Sequence, residues 1–283
     1  MEVRALTPVF GAEIVGLDIS RPLEAATSGR IREIWLAHSL LLIREQTLDE
    51  AALVRFSRGF GRLEAPPASA ERAWADGGSV QPEIWIISNV IENGKPIGGL
   101  GAGEAEWHTD MSYIEEPPAA SLLYAREIPR TGGDTAFASM QAALAAMPPA
   151  LRAKIEGRRA KHDSSYTSAG ELRKGARSDV GPVDAPGGIH PIIRTHPETG
   201  RQALYLGRRR NGLVVELPLA ESEAVLDEIW GFATQPQFAY RHLWRLGDLL
   251  VWDNRSLVHR RDAFDPTSRR VMLRTQVKGD RPY

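Results

Sequence analysis

The second half of the chain is a succession of short apolar segments, and this feature limits the possible folds most. Glycine, proline, asparagine and aspartate separate these segments, as they separate strands in antiparallel proteins. The candidate strands are residues 119–127, 135–138, 188–195, 202–206, 238–244, 248–252, 257–260 and 270–276. Many short strands of this kind are typical of a sandwich or a jelly roll. We therefore predict a mainly β fold with flanking helices.

Helical patterns and loops complete this interpretation. Ser28 and Asp49 are suitable N-caps for two helices in the first half, because their side chains can accept a free backbone N–H. Further helices are expected near 139–157 and 220–233. Strands are expected around 15–19 and over 40–43 and 84–90. Residues 64–82 and 92–106 read as long loops, which are candidates for lids. No boundary stands out, so 1–283 is predicted to be one domain.

Composition excludes several classes of function. The chain has 283 residues, with 35 basic and 36 acidic side chains, so the net charge of -1 argues against nucleic-acid binding. No cysteine is present, which excludes disulfides, thiolate nucleophiles and cysteine-based metal sites. We find neither a signal peptide nor an apolar stretch long enough for a membrane. We expect a soluble cytoplasmic protein without membrane partners. The basic run 208–210 reads as a solvated loop.

His108 and Asp110 are the strongest candidates for metal ligands. Residues two apart on a strand point to the same face, so both side chains could hold one ion. His259 is our choice for a third ligand, although His162 and His190 are equally available on spacing alone. Two imidazoles and one carboxylate are typical of non-haem Fe(II) oxygenases. Zinc hydrolases use the same ligands, so a zinc-dependent hydrolase remains an alternative.

Several motifs together resemble the taurine dioxygenase and 2,4-dichlorophenoxyacetate dioxygenase family. They are FGAEI at 10–14, GLD at 16–18, WHTDMSY at 107–113, GGDT at 132–135, YRHLW at 240–244, GDL at 247–249, WDNR at 252–255, HR at 259–260 and RRVM at 269–272, followed by Arg274. The resemblance extends from about residue 8 to 277, with the motifs in the family's order. It implies a double-stranded β-helix, the jelly-roll core, and an Fe(II)- and 2-oxoglutarate-dependent dioxygenase that consumes O2.

The resemblance also implies roles for single residues. His108, Asp110 and His259 would bind iron, Arg270 would bind the distal carboxylate of 2-oxoglutarate, and Thr135 would donate its hydroxyl to the same cosubstrate. A planar guanidinium suits a carboxylate because it donates two parallel hydrogen bonds. Substrate contacts are expected from Arg274, Lys95, Tyr113 and Tyr166. The substrate would be a small organic anion such as a carboxylate, a sulfonate or an amino-acid derivative.

The sequence departs from taurine dioxygenase near the expected substrate. Glu104 stands where that enzyme has an asparagine, and residues 64–75 lack its histidine and tyrosine, so taurine is disfavoured. Residues 88–96 and the last third look more like the herbicide-degrading branch. A catalytically silent jelly-roll binding protein is the second alternative, but it leaves the intact triad without a purpose. Relatives often form dimers or tetramers, so a homo-oligomer is expected.

Overall fold

The computed structural model of the protein describes residues 1–66 and 81–283. Its first strands are β1 (Glu2–Ala5), β2 (Ala12–Val15), β3 (Leu40–Ile43), β4 (Leu63–Glu64), β5 (Trp85–Ser88), β6 (Ile91–Glu92), β7 (Lys95–Pro96), β8 (Gly99–Leu100), β9 (Ala105–His108) and β10 (Ala120–Glu127). The remaining strands are β11 (Thr135–Ser139), β12 (Arg159–Asp163), β13 (Gly187–Pro191), β14 (Ile193–Thr195), β15 (Gln202–Leu204), β16 (Leu213–Val214), β17 (Ala239–His242), β18 (Leu249–Asp253), β19 (Leu257–Arg261) and β20 (Val271–Val277). The helices are α1 (Ala25–His38), α2 (Glu50–Ser57), α3 (Met140–Ala145), α4 (Pro149–Ala153) and α5 (Leu219–Ala233), with short 3-10 helices at Arg58–Phe60 and Pro236–Phe238.

Two sheets face each other and form the core of a jelly roll, as predicted. The larger sheet has nine strands in the order β1-β2-β3-β18-β10-β20-β5-β8, and β4 also pairs with β20. The smaller sheet has the order β17-β11-β19-β9. Phe137 of the smaller sheet packs on Trp252 of the larger one, with ring centroids 5.5 Å apart. His108 and His259 lie on strands of the smaller sheet, and Arg274 lies on a strand of the larger one.

Alternation of side chains explains why β3 is entirely apolar. Leu40 and Leu42 pack between the two sheets, whereas Leu41 and Ile43 pack on the other face, beneath α1 and α2. Successive side chains of a strand point to opposite faces, so a strand covered on both sides needs apolar residues throughout. All four residues are fully buried. The run 40–43 is therefore a buried strand, as the sequence predicts.

The two predicted N-caps differ in outcome. Asp49 caps α2, because its side chain accepts the backbone N–H of Ala52 at 2.7 Å. Ser28 was expected to begin the first helix, but α1 begins three residues earlier, with Glu24 at the N-cap and no side-chain cap. The buried face of α1 consists of Ile31, Ile34 and Trp35. The first turn of this helix therefore depends on packing and not on a serine cap.

We expect this difference to appear in stability. Asp49→Ala should lower the free energy of unfolding by about 1 kcal/mol, because a free N–H loses its acceptor. Ser28→Ala should change it by less than about 0.5 kcal/mol, the usual effect of a substitution away from such features. Urea unfolding followed by circular dichroism measures both. Equal losses for the two variants would show that Ser28 does cap the helix.

Other predicted elements are corrected in detail. The single helix expected at 139–157 is two short helices, because Pro148 and Pro149 interrupt the backbone hydrogen bonds. The strand expected at 188–195 is β13 and β14, and the pair expected around 15–19 is β1 and β2. The loop 92–106 contains β7, β8 and part of β9, so it is not irregular throughout. The loop 64–82 lies mostly outside the described residues. No helix within 1–66 and 81–283 has the length and apolar character that crossing a membrane requires.

Candidate active site

Two neighbouring strands of the smaller sheet bring His108 and His259 together. His259 lies on β19 directly opposite His108, the last residue of β9, and their ring centroids are 4.1 Å apart. Opposite residues of an antiparallel pair project from the same face. Asp110 was expected on the same strand as His108, but β9 ends at His108 and Asp110 lies in the turn that follows. Met111 next to it has a φ of 47°, which marks this sharp turn.

The three side chains form a compact and buried cluster. The distance from His108 Nε2 to Asp110 Oδ1 is 3.8 Å, and that from His259 Nε2 to the same oxygen is 3.9 Å. Metal ions bind such ligands at about 2.1 Å, so two ligands of one ion lie at most about 4.2 Å apart. Both distances satisfy this limit. One possible ligand atom from each residue lies within 4.8 Å of the others. In the described part of the chain, these three residues are the only group of histidines and carboxylates close enough together to hold a metal ion.

Burial keeps the two imidazoles neutral, and a hydrogen bond orients that of His108. The Nδ1–H of His108 donates a hydrogen bond to the carbonyl oxygen of Glu106 at 2.7 Å. The proton is thereby held on Nδ1, and the lone pair of Nε2 is free to bind a metal ion. Burial lowers the pKa of His259 to about 4. Burial, and then the neighbouring His259, also lower the pKa of His108. Neutral imidazoles are the form that binds a metal ion.

Asp110 is held as a carboxylate by its neighbours. Burial alone would raise the pKa of its carboxyl, but the Arg274 guanidinium and the two imidazoles outweigh burial and hold the pKa below its ordinary value. Arg274 Nη1 donates to Oδ1 at 3.1 Å, and the Ser121 hydroxyl donates to Oδ2 at 2.7 Å. A carboxylate fixed at both oxygens is oriented for coordination before any ion arrives.

Arg270 is a buried cation without an anionic partner. It is 2% exposed, and among residues 1–66 and 81–283 the only hydrogen bond of its guanidinium is a long one to the Gly133 carbonyl oxygen, at 3.4 Å. Burial, and then the nearby Arg261 guanidinium, lower the pKa of Arg270 to about 9. A buried charge of this kind is costly unless an anion binds to it. The arrangement therefore fits the carboxylate of a bound cosubstrate.

Glycine makes room for this arginine. Gly133 has a φ of +70°, and a Cβ atom there would lie 3.1 Å from Arg270 Nε. A side chain at this position would thus be strained and would crowd the guanidinium. Two residues later Thr135 begins β11, and its hydroxyl accepts a hydrogen bond from Trp244 Nε1 at 3.0 Å. The hydroxyl proton of Thr135 is consequently free to be donated.

A cavity adjoins the cluster on the side of His108 and Asp110. Its wall includes Trp85, Leu100, Met111, Tyr113, Arg173 and Arg208. Arg274 lies over the Trp85 ring, 4.3 Å from its centroid. Of the predicted substrate residues, Tyr113 is therefore in the wall and Arg274 lies next to it. Lys95 is on the exposed hairpin of β6 and β7 and does not line the cavity, and neither does the Tyr166 side chain.

Other sequence candidates lie outside the cluster. His162 and His190 are buried against each other and against Tyr205, with centroids 5.2 Å apart, so neither is a third ligand beside His108. Glu104 is on the surface and pairs with Arg260 at 3.4 Å.

The interpretation of 208–210 as a solvated loop is wrong for its first residue. Arg208 is 7% exposed and lines the cavity, whereas Arg209 binds Glu223 and Asp227 and Arg210 is exposed. The run closely follows the apolar segment 203–206, which is the one sequence signal that favoured burial of its first member.

Comparisons with known proteins agree with this geometry. The model of the family described as taurine catabolism dioxygenase TauD, TfdA matches residues 2–276. The (S)-phenoxypropionate/alpha-ketoglutarate-dioxygenase of Sphingobium herbicidovorans is 32% identical over an alignment of 285 positions, which covers 99% of this chain and 95% of the relative. The alpha-ketoglutarate-dependent 2,4-dichlorophenoxyacetate dioxygenase of Cupriavidus pinatubonensis is also 32% identical, over 97% and 96%. The crystal structure of AAD-2 with Mn(II) and N-oxalylglycine superposes with a TM-score of 0.81 at 29% identity, covering 99% of this chain and 98% of that one.

Proposed function

Since the chain belongs to the taurine catabolism dioxygenase TauD, TfdA family, we propose that it hydroxylates a small organic anion in an Fe(II)- and 2-oxoglutarate-dependent reaction. Its relatives are alpha-ketoglutarate-dependent dioxygenases, alpha-ketoglutarate being 2-oxoglutarate, and the chain is an oxidoreductase of this class. The observation that carries the proposal is the buried His–Asp–His cluster in the same core as Arg270, a buried cation with no carboxylate partner among the described residues.

His108, Asp110 and His259 would hold the iron. Three protein ligands on one side of an octahedral ion leave three neighbouring positions for other molecules. When bound, Fe(II) would activate O2 as the oxidant, and the substrate, 2-oxoglutarate and O2 would give a hydroxylated product, succinate and CO2. Ser121 would orient Asp110, and the Glu106 carbonyl would fix the tautomer of His108. The protein would thus position the reactants for the chemistry.

Arg270 and Thr135 would bind 2-oxoglutarate. The guanidinium is able to donate two parallel hydrogen bonds to the distal carboxylate, and the Thr135 hydroxyl is free to donate one more. Binding would also satisfy the Arg270 Nε, which is buried without a partner among the described residues. The support for this role is that no carboxylate in that part of the chain forms an ion pair with Arg270, since the nearby Asp134 pairs with Arg241 instead.

The substrate would bind in the cavity beside His108 and Asp110. Arg274 is 6% exposed, and its Nε has no partner among the described residues although Nη1 is bonded to Asp110. It would therefore offer its remaining N–H groups to the anionic group of the substrate, while Tyr113 lines the wall. If the attacked carbon bears oxygen, nitrogen or sulfur, the hydroxylated product would split. A cytoplasmic location and a homo-oligomeric state stay predictions.

One experiment tests this function directly. The protein is mixed without air with Fe(II) and then 2-oxoglutarate, and a visible absorption band should appear that neither addition gives alone. Admission of air with candidate anions should then release succinate in step with O2 consumption. The absence of both the band and succinate would contradict the proposal. Zn(II) in place of Fe(II) is the control, because a zinc hydrolase would act with it and would need no O2.

A further inference from the structure

Two arginines in the wall of the cavity share one hydrogen-bond acceptor. Arg208 Nη1 donates to the Tyr166 carbonyl oxygen at 2.6 Å, and Arg173 Nε donates to the same oxygen at 3.1 Å. Their positive charges are thereby held close together. Like charges at short range disfavour each other's charged form, and burial strengthens the effect. An anion placed between the two guanidiniums would remove this cost.

No acidic residue of the described chain supplies that anion. Neither Arg208 nor Arg173 forms an ion pair with a carboxylate in residues 1–66 and 81–283. Arg208 is 7% exposed, and its Nε is buried without a partner in the same part of the chain. The neighbouring Arg209 differs, because it pairs with both Glu223 and Asp227. Arg208 is thus a buried cation without an ion-pair partner in the described chain, and the charges of Asp163 and Glu106 act on it only from a longer distance.

The backbone holds Arg208 beside the candidate metal cluster. Arg208 forms an isolated β-bridge with His108, and the Gly207 carbonyl accepts the backbone N–H of Thr109 at 2.8 Å. Gly207 permits this approach, since a Cβ atom there would lie 2.3 Å from His162 Nδ1. The position of Arg208 is therefore set by tertiary packing and not by a mobile loop.

Arg173 is the second arginine of the pair and reaches the same cavity from a different part of the chain. Its guanidinium carbon lies 4.6 Å from the centre of the Tyr113 ring, which also lines the cavity. A cation over an aromatic face is stabilised but keeps N–H groups at its edge for other acceptors. Arg274 is a separate cation on β20, bonded to Asp110 and stacked on Trp85. The cavity consequently presents two places at which an anionic group can bind.

We infer that Arg208 and Arg173 bind a second anionic group of the substrate, so that the preferred substrate is a dianion. This inference rests on the proposed function. One anionic group would meet Arg274 beside the metal, and the other would meet the Arg208–Arg173 pair at the Tyr113 wall. The substrate class is then a dicarboxylate, or a carboxylate that also carries a sulfate or sulfonate group.

Matched pairs of probes test the inference. The first pair is (S)-2-(4-carboxyphenoxy)propionate and its 4-carbamoyl counterpart, which has the same shape with one charge fewer. The second pair is an alkyl sulfate with and without a terminal carboxylate. Affinity is read without air from the change in the visible band of the Fe(II) and 2-oxoglutarate complex, and turnover from succinate. The wild type should bind at least one dianion roughly tenfold or more tightly than its monoanion partner, the usual effect of a hydrogen bond to a charged group.

Variants locate the source of that preference. Arg208→Gln and, separately, the more exposed Arg173→Gln should each reduce the preference to about threefold or less, chiefly through KM. Arg210→Gln is the matched control, because Arg210 belongs to the same run but lies outside the cavity. A wild type that binds neither dianion, or binds it no better than the monoanion, overturns the inference, as does a preference that survives both substitutions. Absence of the wild-type band itself would instead contradict the proposed function.

Discussion

His108→Ala should abolish the visible band that Fe(II) and 2-oxoglutarate give together, and succinate release with it. The cluster then keeps one imidazole and one carboxylate, and the Glu106 carbonyl oxygen loses the hydrogen bond that it accepts from His108. Loss of an outer partner of a metal ligand alone costs about 10- to 100-fold in metal affinity, so loss of the ligand should exceed about 100-fold. A titration with Fe(II), followed by the band and by succinate, measures the change.

Two further histidines control this result. His38→Ala removes an imidazole at the end of α1, far from the cluster, and should leave the band and the metal affinity unchanged. His190→Ala tests the alternative that sequence spacing left open, because His190 was as available as His259. The structure places it against His162 and Tyr205, so the band should persist in any folded fraction. A band that survives His108→Ala, or one lost with His190→Ala while the protein stays folded, would contradict the assignment.

The strands were predictable because each one carries its own pattern. The run 40–43 is apolar on both faces, and β10, β11, β18, β19 and β20 each start and end within a residue or two of their predicted bounds. Their pairing was not predictable. The short turn between 248–252 and 257–260 suggests that these two strands pair with each other, but β18 belongs to the larger sheet and β19 to the smaller one.

The turn itself explains this crossing. Asp253 accepts hydrogen bonds from His196 and from the Arg255 side chain, and Arg255 also binds Glu198. His196 and Glu198 lie more than 50 residues away along the chain and hold the segment as it passes from one sheet to the other. A local pattern of apolar residues contains no information about such contacts. That 1–283 forms a single domain also stays a prediction.

The candidate site also has features that the sequence predicts and features that depend on tertiary contacts. Its ligand residues were indicated by a motif, and the structure brings His108, Asp110 and His259 together as expected. The buried state of Arg208 was missed, because a run of three arginines is usually solvated and its burial depends on the contact of Gly207 with His162. The prediction for Lys95 failed in the opposite direction: it was expected to contact the substrate, but it is on an exposed hairpin outside the cavity.

Arg270→Gln should raise the concentration of 2-oxoglutarate needed for half-saturation by roughly 30-fold or more. Truncating one member of a buried, hydrogen-bonded charge pair costs about 2 kcal/mol or more, which corresponds to that factor. Because the metal ligands are intact, the visible band should return at saturating 2-oxoglutarate. Arg269→Gln is the matched control. Arg269 precedes Arg270 in sequence, but its side chain is half exposed and pairs with Glu92 and Glu127. This substitution should therefore leave the half-saturation point unchanged.

Thermal unfolding distinguishes a binding role of Arg270 from a structural one. Without cosubstrate the guanidinium is buried and has no carboxylate partner among the described residues, so Arg270→Gln should leave the Tm of the metal-free protein unchanged or raise it. With Mn(II) and 2-oxoglutarate at about 100 times Kd, the wild type should gain about 2.7 kcal/mol, and the variant should gain less than half of that at the same concentration. A lower Tm of the free variant together with an undiminished response to 2-oxoglutarate would assign Arg270 to the core. An unchanged or higher Tm of the free variant, together with a diminished response to 2-oxoglutarate, would assign Arg270 to the binding of an anion that is present only in the complex. No carboxylate of the described chain forms an ion pair with it.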